Sequence, residues 1–282
     1  MSGATEPLPE STRVGRTVLH VADLAGTTAF YQRVVGLAVL TRERTTATLG
    51  VDGTPLLVLE ADADAPERDE SATGLYHNAF RVPTRGALGD ALARIRNHWH
   101  LDGASDHGFS EALYLADPEG NGVEIYRDRP REDWPFREDG RLRGMSDPLD
   151  LDALATDAIG GTGAPAGTTV GHVHLEVSST EAAREFYAGT LGFDVTTDLA
   201  PSALFLSAGG YHHHVAVNTW HQRSTPAAGR GLEWFELILP DGDAVAAVAE
   251  RVEASGGSVA ELDDGVEIAD PDGIAIRLRP EE

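Results

Sequence analysis

The chain has no cysteine, which excludes thiol nucleophiles, disulfides and cysteine-bound metal centres. It has no lysine either. Its 22 basic residues are all Arg, set against 46 acidic ones for a formal net charge of −24. Acidity on that scale argues against nucleic acid or an anionic membrane as a partner. Acid excess without Lys points to adaptation to high salt, a halophilic trait, although the base composition of a gene also removes Lys. No apolar run approaches the roughly 20 residues that span a bilayer. The N-terminal MSGATEPLPESTR has no apolar signal core. These absences lead to the expectation of a soluble cytoplasmic protein. At 282 residues it is long enough for two domains and a real hydrophobic core.

What the chain does have is repetition. Val14-Gly15-Arg16 through Phe30-Tyr31 parallels Val170-Gly171-His172 through Phe186-Tyr187. Gly74-Leu75-Tyr76-His77 parallels Gly231-Leu232-Glu233-Trp234, and Asp117-Pro118-Glu119-Gly120 parallels Asp270-Pro271-Asp272-Gly273. Self-similarity of this kind precedes any fold assignment. It sets out four units, near 14–60, 74–127, 170–219 and 231–280. Each reads as a strand, a helix and two or three further strands. In the second unit a strand over Leu75–Val82 leads to a helix capped by Thr84 and running to about Asn97, with Leu88, Leu92 and Ile95 at helical spacing. Strands Ala112–Leu115 and Gly122–Tyr126 then flank the Asp-Pro-Glu-Gly turn. The domains expected are a tail (1–13), an N-terminal domain (14–127), a linker (128–169) with a short helix around Leu149–Ala158, and a C-terminal domain (170–282). The acidic stretch 61–73 reads as a loop. Tyr31 and Tyr187, on the repeated helix, are expected in the core.

The most informative segment runs from His107 to Glu124: a loop histidine, a strand carrying Tyr114, a tight turn, and a strand carrying Glu124. Strand side chains alternate in direction, so Glu124 points away from Val123 and Ile125. A carboxylate so placed is costly to bury unless a cation meets it.

The repeats and this segment together resemble the vicinal oxygen chelate superfamily of glyoxalase I, bleomycin-resistance proteins and extradiol ring-cleaving dioxygenases. The resemblance covers nearly the whole chain. It implies an α+β fold of four βαβββ modules forming two paired, cup-shaped mixed-sheet domains. In that superfamily metal ligands stand at the start of a module's first strand and near the end of its last. Carried over by position, the first-strand sites are Arg16, His77, His172 and Trp234; the last-strand sites include Glu124 and Arg277. Arg and Trp cannot ligate. The resemblance therefore implies His77, Glu124 and His172, the two-imidazole, one-carboxylate triad that suits Fe(II) and oxygen, with Mn(II) an alternative. Because those ligands come from modules two and three, these are expected to pair, leaving one and four to form a second, metal-free cup. His174 is the rival to His172, since residues two apart share a face.

The segment also resembles the extradiol dioxygenase signature, which runs from His107 through Tyr114 and Asp-Pro-x-Gly to Glu124. His213-His214-Val215-Ala216 resembles the strand carrying those enzymes' acid–base histidine, which falls on His213. Strand alternation would set His212 and His214 opposite it. The implied activity is a catechol 2,3-dioxygenase-like cleavage of a small aromatic diol by O2. His213 would move the proton, Tyr114 would hydrogen-bond the substrate, and His107 would hold a diol oxygen or position a closing loop. A glyoxalase-type isomerase, a metal-free bleomycin-resistance-type binding protein and a hydroquinone-cleaving enzyme are the rivals. A homo-oligomer is allowed, and neither nucleic acid nor membrane is expected.

Overall fold

Every repeat starts its helix in the same way. In the computed structural model Asp23, Thr84, Ser179 and Asp241 each precede a helix, and each side chain accepts backbone N–H bonds from the first turn. A cap of this kind satisfies donors that the helix cannot satisfy itself and contributes about 1 kcal/mol. The structure describes residues 5–62, 64–138 and 141–281. Parts of the expected tail (1–4), acidic loop (63) and linker (139–140) lie outside the described residues.

The chain divides into two compact units: Arg16–Pro66 with His77–Gly171, and Met1–Gly15 with Glu67–Tyr76 and His172–Glu282. The first carries repeats one and two. Strand β1 (Arg13–Val21) is followed by α1 (Leu24–Phe30), which continues as a π-helical turn (Tyr31–Val35), and by β2 (Ala38–Arg42), β3 (Thr46–Val51) and β4 (Thr54–Ala61). Then come β5 (Gly74–Arg81), α2 (Arg85–His98), β6 (Gly103–Asp106), β7 (Ser110–Ala116) and β8 (Gly122–Asp128). The two-residue strand β9 (Asp147–Pro148) adds to β6, and α3 (Leu151–Thr156), capped by Asp150, is the helix expected in the linker.

The other unit repeats the plan. Strand β10 (Thr169–Glu176) leads to α4 (Thr180–Ala183) and its π-helical continuation (Arg184–Leu191), then to β11 (Asp194–Asp198), β12 (Ala203–Ser207) and β13 (Val215–Asn218). Strand β14 (Gly231–Leu239), α5 (Gly242–Ala254), β15 (Val259–Leu262), β16 (Gly265–Ala269) and β17 (Ala275–Pro280) complete it. In each repeat the first strand pairs parallel with the last, and the others pair antiparallel. Each repeat thus contributes mixed parallel and antiparallel strands beside its helix, so the fold is α+β. Among the described residues no helix is long and apolar enough to cross a membrane.

The two π-helical segments end at Gly36 and Gly192, with φ of 94° and 96°, a conformation that only glycine adopts cheaply. Just ahead of those glycines lie the expected core tyrosines, which are buried but not purely apolar in role. Tyr31 donates its hydroxyl to Asp117 at 3.1 Å, and Tyr187 does the same to Asp270 at 3.1 Å. Each Asp opens an Asp-Pro-x-Gly turn and also accepts that turn's backbone N–H groups. Each helix is thereby fastened to the turn of the next repeat. Burial, and then the neighbouring carboxylate, raise both tyrosine pKa values well above 10. Burial also raises Asp117, and it lifts Asp270 to about 6.

Candidate metal centre and its surroundings

In the second repeat, parallel pairing sets His77 beside Gly122 and Ala79 beside Glu124. His77 and Glu124 are therefore diagonal neighbours on one face. His77 Nε2 lies 3.0 Å from Glu124 Oε2. Glu124 is only 3% exposed, and His77 is buried too. A carboxylate and an imidazole hidden together form a donor pair that a cation would satisfy.

Antiparallel pairing puts Tyr114 directly across from Glu124. The Tyr114 ring lies 5.8 Å from that of His77. Its hydroxyl is 2.7 Å from His107 Nε2, and His107 Nδ1 is 2.7 Å from the Met145 carbonyl. A carbonyl only accepts, so Nδ1 carries a proton. In neutral His107, Nε2 then accepts from Tyr114, and the phenol oxygen is left as an acceptor for a substrate hydroxyl. The structure thus brings His77, Tyr114, Glu124 and His107 into one chain of contacts.

Met145 is a partner that no sequence pattern announces. So is the cluster that fixes this hairpin. Buried Glu111 on β7 takes hydrogen bonds from Arg85 (2.9 Å), Arg127 (2.7 Å) and Arg129 (3.2 Å). Arg129 also bonds Asp106, next to His107.

In the other unit His172 stands near the start of β10 and is buried. His213 lies beside it, with ring centroids 4.1 Å apart. His174, two residues on, has Nε2 3.1 Å from the Asn218 amide nitrogen. An amide NH2 only donates, so that nitrogen is already accepting. One expectation fails here. His212, His213 and His214 are not on a strand; β13 begins at Val215. Gly209 and Gly210, both at positive φ, carry the chain through a turn first. Strand alternation therefore does not separate the three side chains. His212 Nδ1 meets His213 Nδ1 at 2.8 Å, while His214 Nδ1 accepts from Ala208 N at 3.2 Å.

The family described as the glyoxalase/bleomycin resistance protein/dioxygenase superfamily matches residues 13–125 and 169–278. The chain belongs to that superfamily. It is 40% identical over 272 residues to a catechol-2,3-dioxygenase of Bacillus subtilis (strain 168), an alignment covering 93% of this chain and 95% of that one. A biphenyl-2,3-diol 1,2-dioxygenase of Rhodococcus globerulus is 31% identical over 120 residues, 41% of this chain and 63% of that protein. Among solved structures, a putative dioxygenase of Bacillus subtilis superposes with a TM-score of 0.66 at 13% identity, covering 98% of this chain and 86% of that one. The last likeness bears on the fold alone.

Proposed function

We propose that the chain is an extradiol dioxygenase that opens the ring of a catechol with O2, and that His77, Glu124 and His172 hold its metal. The observation that carries the assignment is the donor set. Within one unit His77 Nε2 and Glu124 Oε2 lie 3.0 Å apart and buried, and His172 is a buried imidazole near the start of the third repeat's first strand, the position His77 holds in the second. Two imidazoles and a carboxylate fit a first-row divalent cation with open positions, Fe(II) foremost and Mn(II) as the alternative. His174 is the weaker candidate because Asn218 already uses its Nε2. The extended relationship to a protein named catechol-2,3-dioxygenase supports the same reading.

When bound, the metal supplies a common anchor for both reactants and lowers the pKa of the diol hydroxyls. The chain's own groups do the rest. His213, beside His172, takes a proton from the diol and later returns it. Tyr114, across from Glu124, presents its oxygen to a diol hydroxyl while His107 holds its proton. Protonation of His107 reverses that bond, because Nε2–H then donates to the phenol oxygen and Tyr114 can donate onward. Met145 and the Glu111 cluster hold the pair in place. His213 and Glu111 are buried and Tyr114 and His107 half-buried, which limits the water that competes for the same hydrogen bonds.

Metal analysis and a ring-cleavage assay test this together. Iron-loaded wild type should turn catechol and O2 into a ring-opened semialdehyde, and should leave methylglyoxal plus a thiol unchanged. Glu124→Ala should contain no iron and show no turnover. An iron-replete, active Glu124→Ala protein would overturn the ligand assignment, and turnover of methylglyoxal alone would replace the reaction.

A further inference from the structure

In the unit that holds His213, a row of aromatic rings leads from that imidazole to the surface. The Phe205 ring lies 5.1 Å from that of His213 and 5.9 Å from that of His174. His174 lies 5.0 Å from Tyr76 and 5.2 Å from Trp220, and Tyr76 lies 5.2 Å from Trp220. Strand register accounts for the row. Phe205 on β12 and His174 on β10 both pair with Ala216 on β13, one from each side. Neighbours across a ladder share a face, so two rings flank one methyl group.

The two faces of this sheet differ in kind. Val173, Leu175, Leu204, Leu206, Val215 and Val217 have no exposure at all, as a packed core requires. On the face of the row, Phe205 and Tyr76 stay half-buried and Trp220 is 46% exposed. Rings that run edge to face from buried His213 and His174 to half-buried Phe205 and Tyr76 and exposed Trp220 form a surface suited to an apolar ligand group.

Charge at the far end narrows the ligand. Glu176, two residues beyond His174, is buried and takes hydrogen bonds from Arg68 (2.9 Å) and Arg223 (3.2 Å), with His221 Nδ1 at 2.5 Å. Arg68 also donates to the Leu75 carbonyl at 2.7 Å, and Arg223 to the Glu70 carbonyl. Glu176 and two backbone carbonyls thus already engage both guanidinium groups.

We infer that this row is a subsite for an uncharged aryl substituent on the diol ring, and that Phe205 determines specificity there. The substrate class is then the apolar-substituted catechols, rather than carboxylated ones. This rests on the ring-cleavage reading above, which sets the diol beside His213.

The test uses the iron-loaded full chain with catechol, 3-phenylcatechol and 3,4-dihydroxyphenylacetate. Wild type should favour the phenyl over the carboxylated substrate by about tenfold or more in kcat/KM. Phe205→Leu should lower the phenylcatechol-to-catechol ratio of kcat/KM by about tenfold, mainly through KM, as expected for lost aromatic contacts. Trp220→Ala, at an exposed position that folding tolerates, should lower it by about threefold. A second readout needs no metal: 3-phenylcatechol should quench the tryptophan fluorescence of metal-free wild type saturably, and Trp220→Phe should lose most of that quench. An unchanged ratio in both variants, or a preference for the carboxylated substrate, overturns the inference while leaving ring cleavage intact. No cleavage of any catechol would instead bring down the functional reading, and this inference with it.

Discussion

The second and fourth repeats place different chemistry on one backbone plan. In the second, β5 and β8 run parallel with His77 beside Gly122 and Ala79 beside Glu124. In the fourth, β14 and β17 run parallel with Trp234 beside Ala275 and Glu236 beside Arg277. Trp234 thus takes the place of His77, and Arg277 that of Glu124. The first pair brings a carboxylate oxygen within 3.0 Å of an imidazole nitrogen. The second lays a guanidinium carbon 3.9 Å from the centre of an indole ring, with the Arg277 Nε bonded to Glu267 at 2.8 Å. A cation–π pair with its own counter-charge is complete without an ion. A buried carboxylate facing an imidazole is at rest only when a cation or proton meets it. The comparison teaches that the module supplies two facing positions whose side chains set the local chemistry, a self-complete cation–π pair in one repeat and a buried imidazole–carboxylate pair in the other.

The sharpest way to break the comparison is to move one pair onto the other's frame. The double variant His77→Trp, Glu124→Arg should keep its circular dichroism spectrum and lose all iron. Its kcat/KM should fall by at least about 10^4, because the group that brings both reactants together is gone. Iron retained at wild-type stoichiometry would refute the equivalence of the two sites. A smaller effect separates holding metal from moving protons. His213→Phe should retain full iron and lose about 10^2–10^4 in kcat, the range of a general acid–base group. Iron lost with it would make His213 a ligand. The fourth repeat offers the converse: Trp234→Ala should lower unfolding stability by about 3–5 kcal/mol in chemical denaturation, and leave the iron content as it was.

How much of this the sequence disclosed depended on chain distance. Tyr114, Glu124 and their turn lie within one hairpin, so alternation and turn chemistry located them without tertiary information. Thr84 as the cap of α2 was equally local. His172 needed both the repeat and the superfamily's first-strand ligand position to mark it. The bend at 212–214 was missed because a run of three histidines before Val-Ala-Val looks like strand. The signal against it was Gly209-Gly210, whose positive φ values delay the strand to Val215. The Tyr31–Asp117 and Tyr187–Asp270 bonds span more than eighty residues, and no local pattern announces a buried hydroxyl's partner. Met145 was equally silent, since it contributes a backbone carbonyl that any residue carries.

Those two tyrosine–aspartate bonds give the smallest effect and a second comparison. Both join a helix to the turn of the following repeat, yet Asp270 is pushed up to about 6, chiefly by burial and further by Asp272. An unfolded aspartate titrates near 3.9. The folded state therefore binds this proton more tightly than the unfolded one. Stability from this group is fully present below about pH 4 and is lost as pH rises to about 6. Two units at about 1.4 kcal/mol each put the loss near 3 kcal/mol, as an order of magnitude. Asp270→Asn removes the titration, so the variant's melting temperature should lack the part of the fall between pH 4 and 6 that wild type shows. Circular dichroism melts at half-unit pH steps would measure it. Identical slopes in the two proteins would mean that Asp270 is already ionised in the fold, with Tyr187 and the turn N–H groups outweighing its burial.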